Sequence, residues 1–145
     1  MKSYVGIDGD KVGARIETLI ILENLKGVAD LSQKVRLAIE KTKSTIVSLG
    51  GKVIFAEGDS ILAETEIGFS KQQCENLVRI FYDTTGCTAS AGIGRTPLEA
   101  YLALKLAKCS ARQRVVDYQE VSQNGESGRV YRVSEDIPGH LTPDT

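Results

Sequence analysis

Two short apolar segments of this sequence are separated by only three residues. Residues 52–56 (KVIFA) and 60–63 (SILA) have the pattern of β-strands, and Glu57-Gly58-Asp59 between them has the composition of a tight turn. Strands this close together in sequence pair as an antiparallel β-hairpin. Helix-like segments lie on both sides of the hairpin, so the chain must combine an antiparallel sheet with helices.

Strand-like and helix-like patterns alternate before the hairpin. We predict a strand at residues 3–7, a helix at 11–25 that ends at Lys26-Gly27, and a second helix up to Gly50-Gly51. Asp30, as N-cap, and Gln33 form a capping box at the predicted start of this second helix.

The same patterns continue after the hairpin. We predict a helix opening at the Ser70–Gln73 capping box, a strand at 88–93, a helix from Thr96-Pro97 to about Arg112, and strands at 115–118 and 130–133. The resulting order contains βαββαβ, the ferredoxin-like pattern. We therefore predict an α+β palm-like domain over residues 1–145, with helices on one face of an antiparallel sheet and a loosely held tail from residue 134.

The two sides of the last predicted helix differ in character. One side, which we predict to face the core, carries Leu98, Leu102, Leu106 and Cys109. The opposite side carries Lys105, Lys108 and Arg112 at spacings of three and four residues. Such a cationic face can bind phosphate, and it is also a common solvated surface near a helix C-terminus.

Charge and histidine content narrow the possible chemistry. The sequence has 18 Lys and Arg against 19 Asp and Glu, so no overall charge draws it toward nucleic acid or membrane. His140 is the only histidine, which leaves no imidazole for a Ser-His-Asp triad or a multi-histidine metal site. The available catalytic groups are carboxylates, lysines, arginines and hydroxyls.

The cysteines and the apolar runs bear on where in the cell the protein is found. Cys74, Cys87 and Cys109 form no CxxC pair, and an odd number fits a disulfide framework poorly, so we predict reduced thiols in or near the core. The N-terminus shows no signal peptide, and the longest apolar run, residues 19–22, is too short to span a membrane. These features predict a cytoplasmic protein.

Acidic residues are placed where the predicted sheet brings them together. Asp8 and Asp10 follow the first strand, and Glu57 and Asp59 lie in the hairpin turn. In a βαββαβ sheet the first strand is central and lies beside the hairpin, so we expect these carboxylates to meet at one edge. Clustered carboxylates repel one another unless a cation lies among them, and oxygen ligands suit Mg²⁺ or Mn²⁺. Because Mg²⁺ is commonly held by carboxylates plus substrate phosphates, this cluster indicates a nucleotide substrate.

Glycines flank the start of the first helix. Gly9 and Gly13 bracket it, and its free N–H groups can face a triphosphate. Each of these features also has a purely structural explanation: residues 8–10 as a strand-to-helix turn, and residues 57–59 as a simple hairpin turn. Their combined placement favours the functional interpretation. Residues 91–94 (AGIG) are interpreted as small residues that let a helix pack close to the sheet.

Four segments resemble GGDEF-type nucleotidyl cyclases, in the same order. They are IDGD at residues 7–10, FAEGDS at 55–60, SAGIG at 90–94 and AKCSARQRV at 107–115. Residues 91–112 are also similar to GTP cyclohydrolase III and to the palm of the large subunit in type III CRISPR effectors. Overall the chain most resembles the minimal CRISPR polymerase (mCpol) group of stand-alone palm domains, over about residues 3–118.

The resemblance implies a metal-dependent cyclase that joins nucleoside triphosphates, ATP or alternatively GTP, into a cyclic nucleotide signal in antiviral defence. Asp8 and Asp59 would be catalytic and would bridge two Mg²⁺ or Mn²⁺ ions per site, with the Gly9 carbonyl as a further ligand. The residues expected to bind the nucleotide and its phosphates are Gly9, Asp10, Lys11, Gly13, Gly58, Ser60, Lys105, Lys108 and Arg112. Asp10 would either support the metal site or cap the first helix. The expected partners are a second copy of the chain, which supplies the attacking hydroxyl, and a downstream effector protein, with no membrane and no stable nucleic-acid binding.

Two departures from the GGDEF pattern leave other functions open. Ser60 stands at the position of the second acid, and Ile16 stands where those enzymes read guanine with an Asn, which argues against a cyclic-di-GMP synthase. One alternative is a catalytically silent palm that binds a nucleotide as a sensor. Another is a hydrolase similar to GTP cyclohydrolase III, although that enzyme carries two such domains in one chain. An RNA-binding ferredoxin-like module fits less well, because the sequence has only three Phe, five Tyr and no Trp.

Overall fold

The computed structural model describes residues 2–110 and 114–121. Its elements are β1 (Ser3–Gly9), α1 (Val12–Ile21), α2 (Leu25–Ser48), β2 (Lys52–Glu57), β3 (Ser60–Thr65), α3 (Lys71–Thr85), β4 (Ala89–Gly94), α4 (Pro97–Cys109) and β5 (Val115–Asp117). The predicted strand at residues 130–133 and the tail from residue 134 lie outside the described residues, as does Arg112.

The strands form one sheet in the order β2-β3-β1-β4-β5. The first strand lies at the centre, antiparallel to β3 on one side and to β4 on the other. The first four strands with α2 and α3 make the ferredoxin-like core that the sequence predicts. The predicted antiparallel sheet is extended by β5, which pairs in parallel with β4, so the complete sheet is mixed.

Helices cover both faces of the sheet. Along β1, Val5 and Ile7 point into a core that also contains Leu77 and Phe81 of α3 and residues of α1 and α2. The alternate residue Gly6 faces Leu104 of α4, because successive side chains in a strand point to opposite faces. The prediction that helices occupy one face therefore holds for α1, α2 and α3, whereas α4 lies on the opposite face.

Alanines, not leucines, attach α4 to the sheet. Ala100, Ala103 and Ala107 are fully buried, whereas Leu98 is 65% exposed and Leu102 is 40% exposed. The predicted core face is therefore wrong for Leu98, Leu102 and Cys109, which are exposed, whereas Leu106 is partly buried and packs on the small cluster around Ala103 and Ala107. The reason lies in β4: a Cβ atom added at Gly92 would meet the backbone of Ala100, Ala103 and Leu104, so only small residues fit between helix and strand. The packing role predicted for residues 91–94 is confirmed.

The start of α2 differs from the prediction. The helix begins at Leu25, and the side chain of Asn24 caps it by accepting a hydrogen bond from the Gly27 N–H at 2.9 Å. Asp30 lies inside this helix, so the predicted capping box of Asp30 and Gln33 is wrong, and Lys26-Gly27 begins the second helix. The chain reverses direction at Glu23, whose φ of 56° lies in the left-handed region, and α1 therefore ends earlier than predicted.

The other two helix starts are as predicted. Ser70 and Gln73 form a reciprocal capping box before α3, and Thr96 accepts a hydrogen bond from the Glu99 N–H ahead of Pro97. Cys74 and Cys87 are buried free thiols, as expected, and burial raises the pKa of Cys74 to about 12. Within residues 2–110 and 114–121, no helix combines the length and apolarity needed to cross a membrane.

Candidate active site

A row of polar residues crosses one end of the sheet. Asp8 on β1 lies opposite Ser60 on β3 and opposite Ser90 on β4. Glu57 at the end of β2 lies opposite Ser60 and completes the row. Directly opposed residues in antiparallel strands point to the same face, so these side chains share one surface of the sheet. The predicted meeting of the strand-one and hairpin acids at one edge is therefore found.

Asp8 is held by two neighbours. The Ser60 hydroxyl donates a hydrogen bond of 2.6 Å to Asp8 Oδ1, and the Lys108 ammonium lies 3.3 Å from Asp8 Oδ2. About a third of the Asp8 side chain, 32%, remains exposed. The carboxylate is thus oriented by fixed donors and still accessible to a ligand.

Asp59 lies against the end of β1. The Gly9 N–H donates a hydrogen bond of 3.1 Å to the Asp59 carbonyl, and a Cβ atom at Gly9 would lie 2.7 Å from Asp59 Oδ2. Only glycine leaves the room that the Asp59 carboxylate occupies. Gly58, with a φ of 56°, makes the preceding turn in a region where glycine is favoured.

The charge of Asp59 is disfavoured in this position. Partial burial raises the pKa of its carboxyl group, and the nearby negative charge of Asp8 raises it further. Two acidic groups that repel each other at the surface of a protein form a place where a cation is stabilised. Among the described residues, no group of three or more His, Cys, Asp or Glu side chains is arranged to hold a metal ion. Asp8 and Asp59 can supply two carboxylate ligands, and Mg²⁺ in proteins is commonly held by one or two carboxylates together with substrate phosphates.

Asp10 lies in a cage of donors and shares the Lys108 ammonium with Asp8. Its carboxylate accepts hydrogen bonds of 2.9 Å from Ser90, Thr88 and Lys108, and one of 3.0 Å from Arg114. Partial burial acts to raise the pKa of Asp10, but the hydrogen bonds from Lys108, Ser90 and Thr88 outweigh it and the pKa is lowered. The donors thus favour the charged form of Asp10, which anchors the cations around it.

The first helix does not use Asp10 as its cap. Lys11 occupies the N-cap position with a left-handed φ of 59°, and the cap has no side-chain hydrogen bond. Of the two roles predicted for Asp10, capping is therefore wrong. Lys11 and Gly13 are exposed beside the site.

Lys108 contacts three consecutive residues at the end of β1, namely Asp8, Gly9 and Asp10. Its ammonium donates hydrogen bonds to the Gly9 carbonyl at 3.0 Å and to Asp10 Oδ1 at 2.9 Å, in addition to its contact with Asp8. Burial acts to lower the pKa of Lys108, but the contacts with Asp10 and Asp8 outweigh it and the pKa is raised. The Gly9 carbonyl, predicted as a metal ligand, is thus a hydrogen-bond acceptor for Lys108 in this structure.

Lys105, one turn earlier on α4, does not join the carboxylates. Its ammonium lies 5.1 Å from the centroid of the Tyr101 ring. Sequence reasoning missed three members of the site, namely Thr88, Ser90 and Arg114. Ser90 and Arg114 lie within the segments that resemble the cyclases, but their role depends on contacts 80 and 104 residues away along the chain.

Two depressions flank the polar row on opposite faces of the sheet. One, of about 650 Å³, lies between α1, α2 and the hairpin and includes Gly13, Ile16, Arg36 and Asp59. The other, of about 260 Å³, lies between α4 and the β2–β3 hairpin strands and includes Asp8 and Lys108. Asp59 thus lines the depression beside α1 and α2, and Asp8 lines the depression beside α4.

The family model of the minimal CRISPR polymerase (mCpol) domain matches residues 4–118. The chain belongs to the mCpol family. The matched range contains the paired acids and their donors, and it includes all or nearly all of each of the nine elements of this mCpol chain. No curated protein matches the sequence.

Solved structures show the same fold at low sequence identity. The active GGEEF domain of a diguanylate cyclase from Vibrio cholerae has a TM-score of 0.53 and 14% identity, over 81% of the mCpol chain and 82% of that domain. A bacterial light-regulated adenylyl cyclase has a TM-score of 0.51 and 15% identity, over 80% of the mCpol chain and 42% of the longer cyclase chain. These similarities show that the chain shares the α+β palm fold of these two proteins.

Proposed function

We propose that this mCpol chain is a divalent-metal-dependent nucleotidyltransferase that joins nucleoside triphosphates into a cyclic nucleotide and releases pyrophosphate. The observation that carries the proposal is the pair of acids, Asp8 and Asp59, brought together from β1 and the hairpin with Lys108 beside them. In the reaction a ribose oxygen forms a bond to the α-phosphorus of a second nucleotide. The bond to pyrophosphate breaks, and the hydroxyl proton is released to solvent.

The residues present fit Mg²⁺ or Mn²⁺. Asp8 and Asp59 supply carboxylate oxygens, repel each other without a cation, and have Gly9 where a side chain would obstruct Asp59. When bound, two such ions lower the pKa of the attacking hydroxyl and neutralise the triphosphate. Ser60 keeps Asp8 oriented through its hydrogen bond, so a second acid at position 60 is not needed to fix the first.

Cationic side chains bind the phosphates in this proposal. The Lys108 ammonium lies 3.3 Å from Asp8, so it can also bind a triphosphate that would be held beside Asp8 through a metal ion. We also assign Lys11 and, from the sequence, Arg112 to phosphate binding, and the free N–H groups at the start of α1, next to Gly9 and Gly13, can bind the same phosphates. Because Asp10 holds Lys108 and Arg114, it positions the cations without binding the nucleotide itself.

The donor nucleotide has a groove of suitable size for its base. The depression between α1, α2 and the hairpin begins at Asp59 and Gly58 and has apolar walls at Val12 and Ile16. Its volume of about 650 Å³ lies within the usual range of small-molecule sites. Polar groups of Arg36 and Ser32 line it and can pair with a base. ATP is the proposed substrate, with GTP as the alternative.

A cyclic product made from two or more nucleotides requires at least two phosphodiester bonds. We propose a homodimer, because two facing sites can form both bonds without releasing the linear intermediate. The cyclic product would act as a signal in antiviral defence, recognised by a separate effector protein.

The test is a product assay. The purified protein is incubated with ATP, GTP and their mixture in the presence of Mg²⁺ or Mn²⁺, and products are identified by mass spectrometry. We expect a phosphatase-resistant cyclic product that disappears in Asp59→Ala and persists in Asp83→Ala, which removes an exposed acid of α3. A ring-opened GTP product would instead support a hydrolase and refute the cyclase.

One observation favours a second function, a nucleotide sensor without catalysis. The Lys108 ammonium contacts both Asp8 and Asp10, and an acid neutralised in this way has less need of a metal ion. In that case the protein binds a triphosphate and never consumes it. Equilibrium dialysis with radiolabelled ATP, followed by chromatography of the recovered nucleotide, distinguishes the two functions.

A further inference from the structure

A third depression lies on the other side of the sheet from the hairpin, where α3 packs on β4 and β5. We call it the α3-side groove, and its lining includes Lys71, Arg79, Tyr82, Thr88 and Arg114. One wall is a single face of α3, because residues three and four positions apart on a helix lie on the same side. The volume of about 540 Å³ is within the usual range of small-molecule sites.

Positive charge predominates in this groove. Lys71, Arg79 and Arg114 line it together with one acid, Glu75. Lys71 has an exposed ion-pair partner, Glu120, at 3.4 Å, and such a pair contributes little stability, so the ammonium is available to another anion. Within residues 2–110 and 114–121, the Arg79 side chain forms neither a hydrogen bond nor an ion pair. The groove is therefore a local cationic site on a chain whose formal net charge is −1.

An aromatic ring and apolar side chains accompany these cations. Tyr82 lies three residues after Arg79 on α3 and is 52% exposed. Val78, Ala89 and Val115 add apolar surface to the lining. A ligand that matches this lining has a phosphate group for the cations and a flat ring for Tyr82. A nucleotide has both, since arginine binds phosphate through paired N–H groups and aromatic side chains stack on any base.

The groove shares two residues with the cage around Asp10, namely Thr88 and Arg114. The Arg114 guanidinium donates one hydrogen bond of 3.0 Å to Asp10 Oδ2, and the Arg114 side chain is 44% exposed. A guanidinium has five N–H donors, so others remain for a ligand in the groove. Arg114 therefore stands between the groove and the candidate active site.

We propose that the α3-side groove binds a phosphate ester that carries an aromatic ring, as a nucleotide does, and that this ligand regulates the candidate active site. Its phosphate contacts Arg79 and Arg114, and its ring lies against Tyr82. Among the described residues, neither Asp8 nor Asp59 lines the groove, so the ligand is not a reactant. The binding does not depend on the proposed cyclase function, whereas the regulation rests on it.

The regulation follows from the shared arginine. A phosphate bound to Arg114 competes with the Asp10 carboxylate for the guanidinium. Asp10 then depends more on its other cation, Lys108, whose ammonium also lies 3.3 Å from Asp8. Stronger attraction of Lys108 to Asp10 leaves less of its charge for a triphosphate beside Asp8. An occupied groove therefore lowers the affinity of the active site for a triphosphate.

Amide NMR titrations locate the ligand directly. The ¹⁵N-labelled protein is titrated with AMP, adenosine and ribose 5-phosphate in EDTA, which removes divalent metal. We expect AMP to shift the amides of Arg79, Tyr82 and Val115 more than those of Gly13 and Ile16, which line the depression beside α1 and α2. Loss of the phosphate in adenosine should raise the dissociation constant about tenfold, and loss of the base in ribose 5-phosphate about fivefold. Larger shifts at Gly13 and Ile16, or equal affinity for AMP and ribose 5-phosphate, would overturn the assignment.

Substitutions test the two contacts separately. Arg79→Gln removes the charge and Tyr82→Leu removes the ring, and each should weaken AMP binding about fivefold or more. Arg95→Gln is the matched control, because Arg95 is an exposed arginine that lies between β4 and α4. Unchanged AMP binding in Arg79→Gln contradicts the proposed phosphate contact.

Calorimetry with Mn²⁺ and a non-hydrolysable ATP analogue measures the regulation. At an AMP concentration that fills the groove, we expect the dissociation constant of the analogue to rise about fivefold in wild type and to stay within about twofold in Arg79→Gln/Tyr82→Leu. Direct competition of AMP with the analogue would give the same rise in both proteins and would refute the regulation. If AMP binds in the groove but the analogue shows no Mn²⁺-dependent binding, the proposed function fails, and the groove stands as a binding site without a regulatory role.

Discussion

The ammonium of Lys108 lies 2.9 Å from a carboxylate oxygen of Asp10, a residue 98 positions earlier in the chain. This contact fixes the C-terminal part of α4 against the loop between β1 and α1. The same ammonium reaches Asp8 and the Gly9 carbonyl, so the position of α4 and the geometry of the acids are coupled. The two neighbouring aspartates therefore differ: Asp8 keeps 32% of its side chain exposed, whereas Asp10 is 13% exposed and holds together the framework of donors around it.

The substitution Asp10→Asn tests the framework role. The Asp10 side chain is only 13% exposed, and an amide in its place removes the negative charge beside Arg114 and leaves Lys108 with Asp8 alone. We expect a loss of about 2–3 kcal/mol in the free energy of unfolding, because one partner of a largely buried, charge-assisted network is removed. Urea denaturation followed by circular dichroism measures this change. Asp83→Asn on α3 is the control, and a loss for Asp10→Asn no larger than for this control would show that the network is not stabilising.

Unlike Asp10→Asn, the substitution Asp59→Asn is not expected to lower the free energy of unfolding. Removal of this charge relieves its repulsion with Asp8, so the metal-free protein should keep its stability or gain on the order of 0.5 kcal/mol. Added Mn²⁺ with a non-hydrolysable triphosphate should raise the melting temperature of wild type, since a ligand that binds only the folded state stabilises it. The increase should be absent in Asp59→Asn and present in Asp83→Asn. Equal increases in wild type and Asp59→Asn would remove Asp59 from the metal site.

The approach of Asp8 and Asp59 could be predicted from sequence, because it depends on local signals and topology. The hairpin signal at residues 52–63 and the βαββαβ order place the end of strand one beside the turn. The cage around Asp10 could not be predicted in this way. No local sequence signal marks Thr88, Ser90 and Arg114. Their donors meet at the Asp10 carboxylate only through the register of β4 and the position of Arg114 before β5.

The start of α2 shows how two equally suitable local signals compete. Asn24 and Asp30 are both good N-cap residues, and Asp30 also has a Gln three positions later. In the structure Asn24 is the N-cap. Glu23 has a left-handed φ of 56° directly after α1, and α2 begins two residues later at Leu25. Sequence alone does not reveal where α1 must end for Val12 and Ile16 to pack on α2.

Substitution of the two candidate caps by alanine measures which one acts. Asn24→Ala removes the acceptor for the Gly27 N–H, and we expect a loss of about 1 kcal/mol in the free energy of unfolding. Asp30→Ala lies within the helix on an exposed position, so we expect a change within about 0.5 kcal/mol. Urea titrations of the two variants provide the comparison. A larger loss for Asp30→Ala would place the start of α2 at the position predicted from sequence.

The contact between α4 and β4 makes the strongest stability prediction. A Cβ atom at Gly92 would overlap the backbone nitrogen of Leu104 and the carbonyl oxygen of Ala100, and backbone cannot move aside as a side-chain end can. Gly92→Ala must therefore displace α4, with an expected loss of about 3 kcal/mol or more. Because α4 carries Lys108, the displacement should also abolish the cyclic product. Gly13→Ala is the matched control for stability: nothing lies within 4 Å of its added Cβ, so alanine in α1 should stabilise the fold by about 0.5–1 kcal/mol. If Gly92→Ala unfolds at the same urea concentration as wild type, α4 does not pack on this strand as closely as the structure shows.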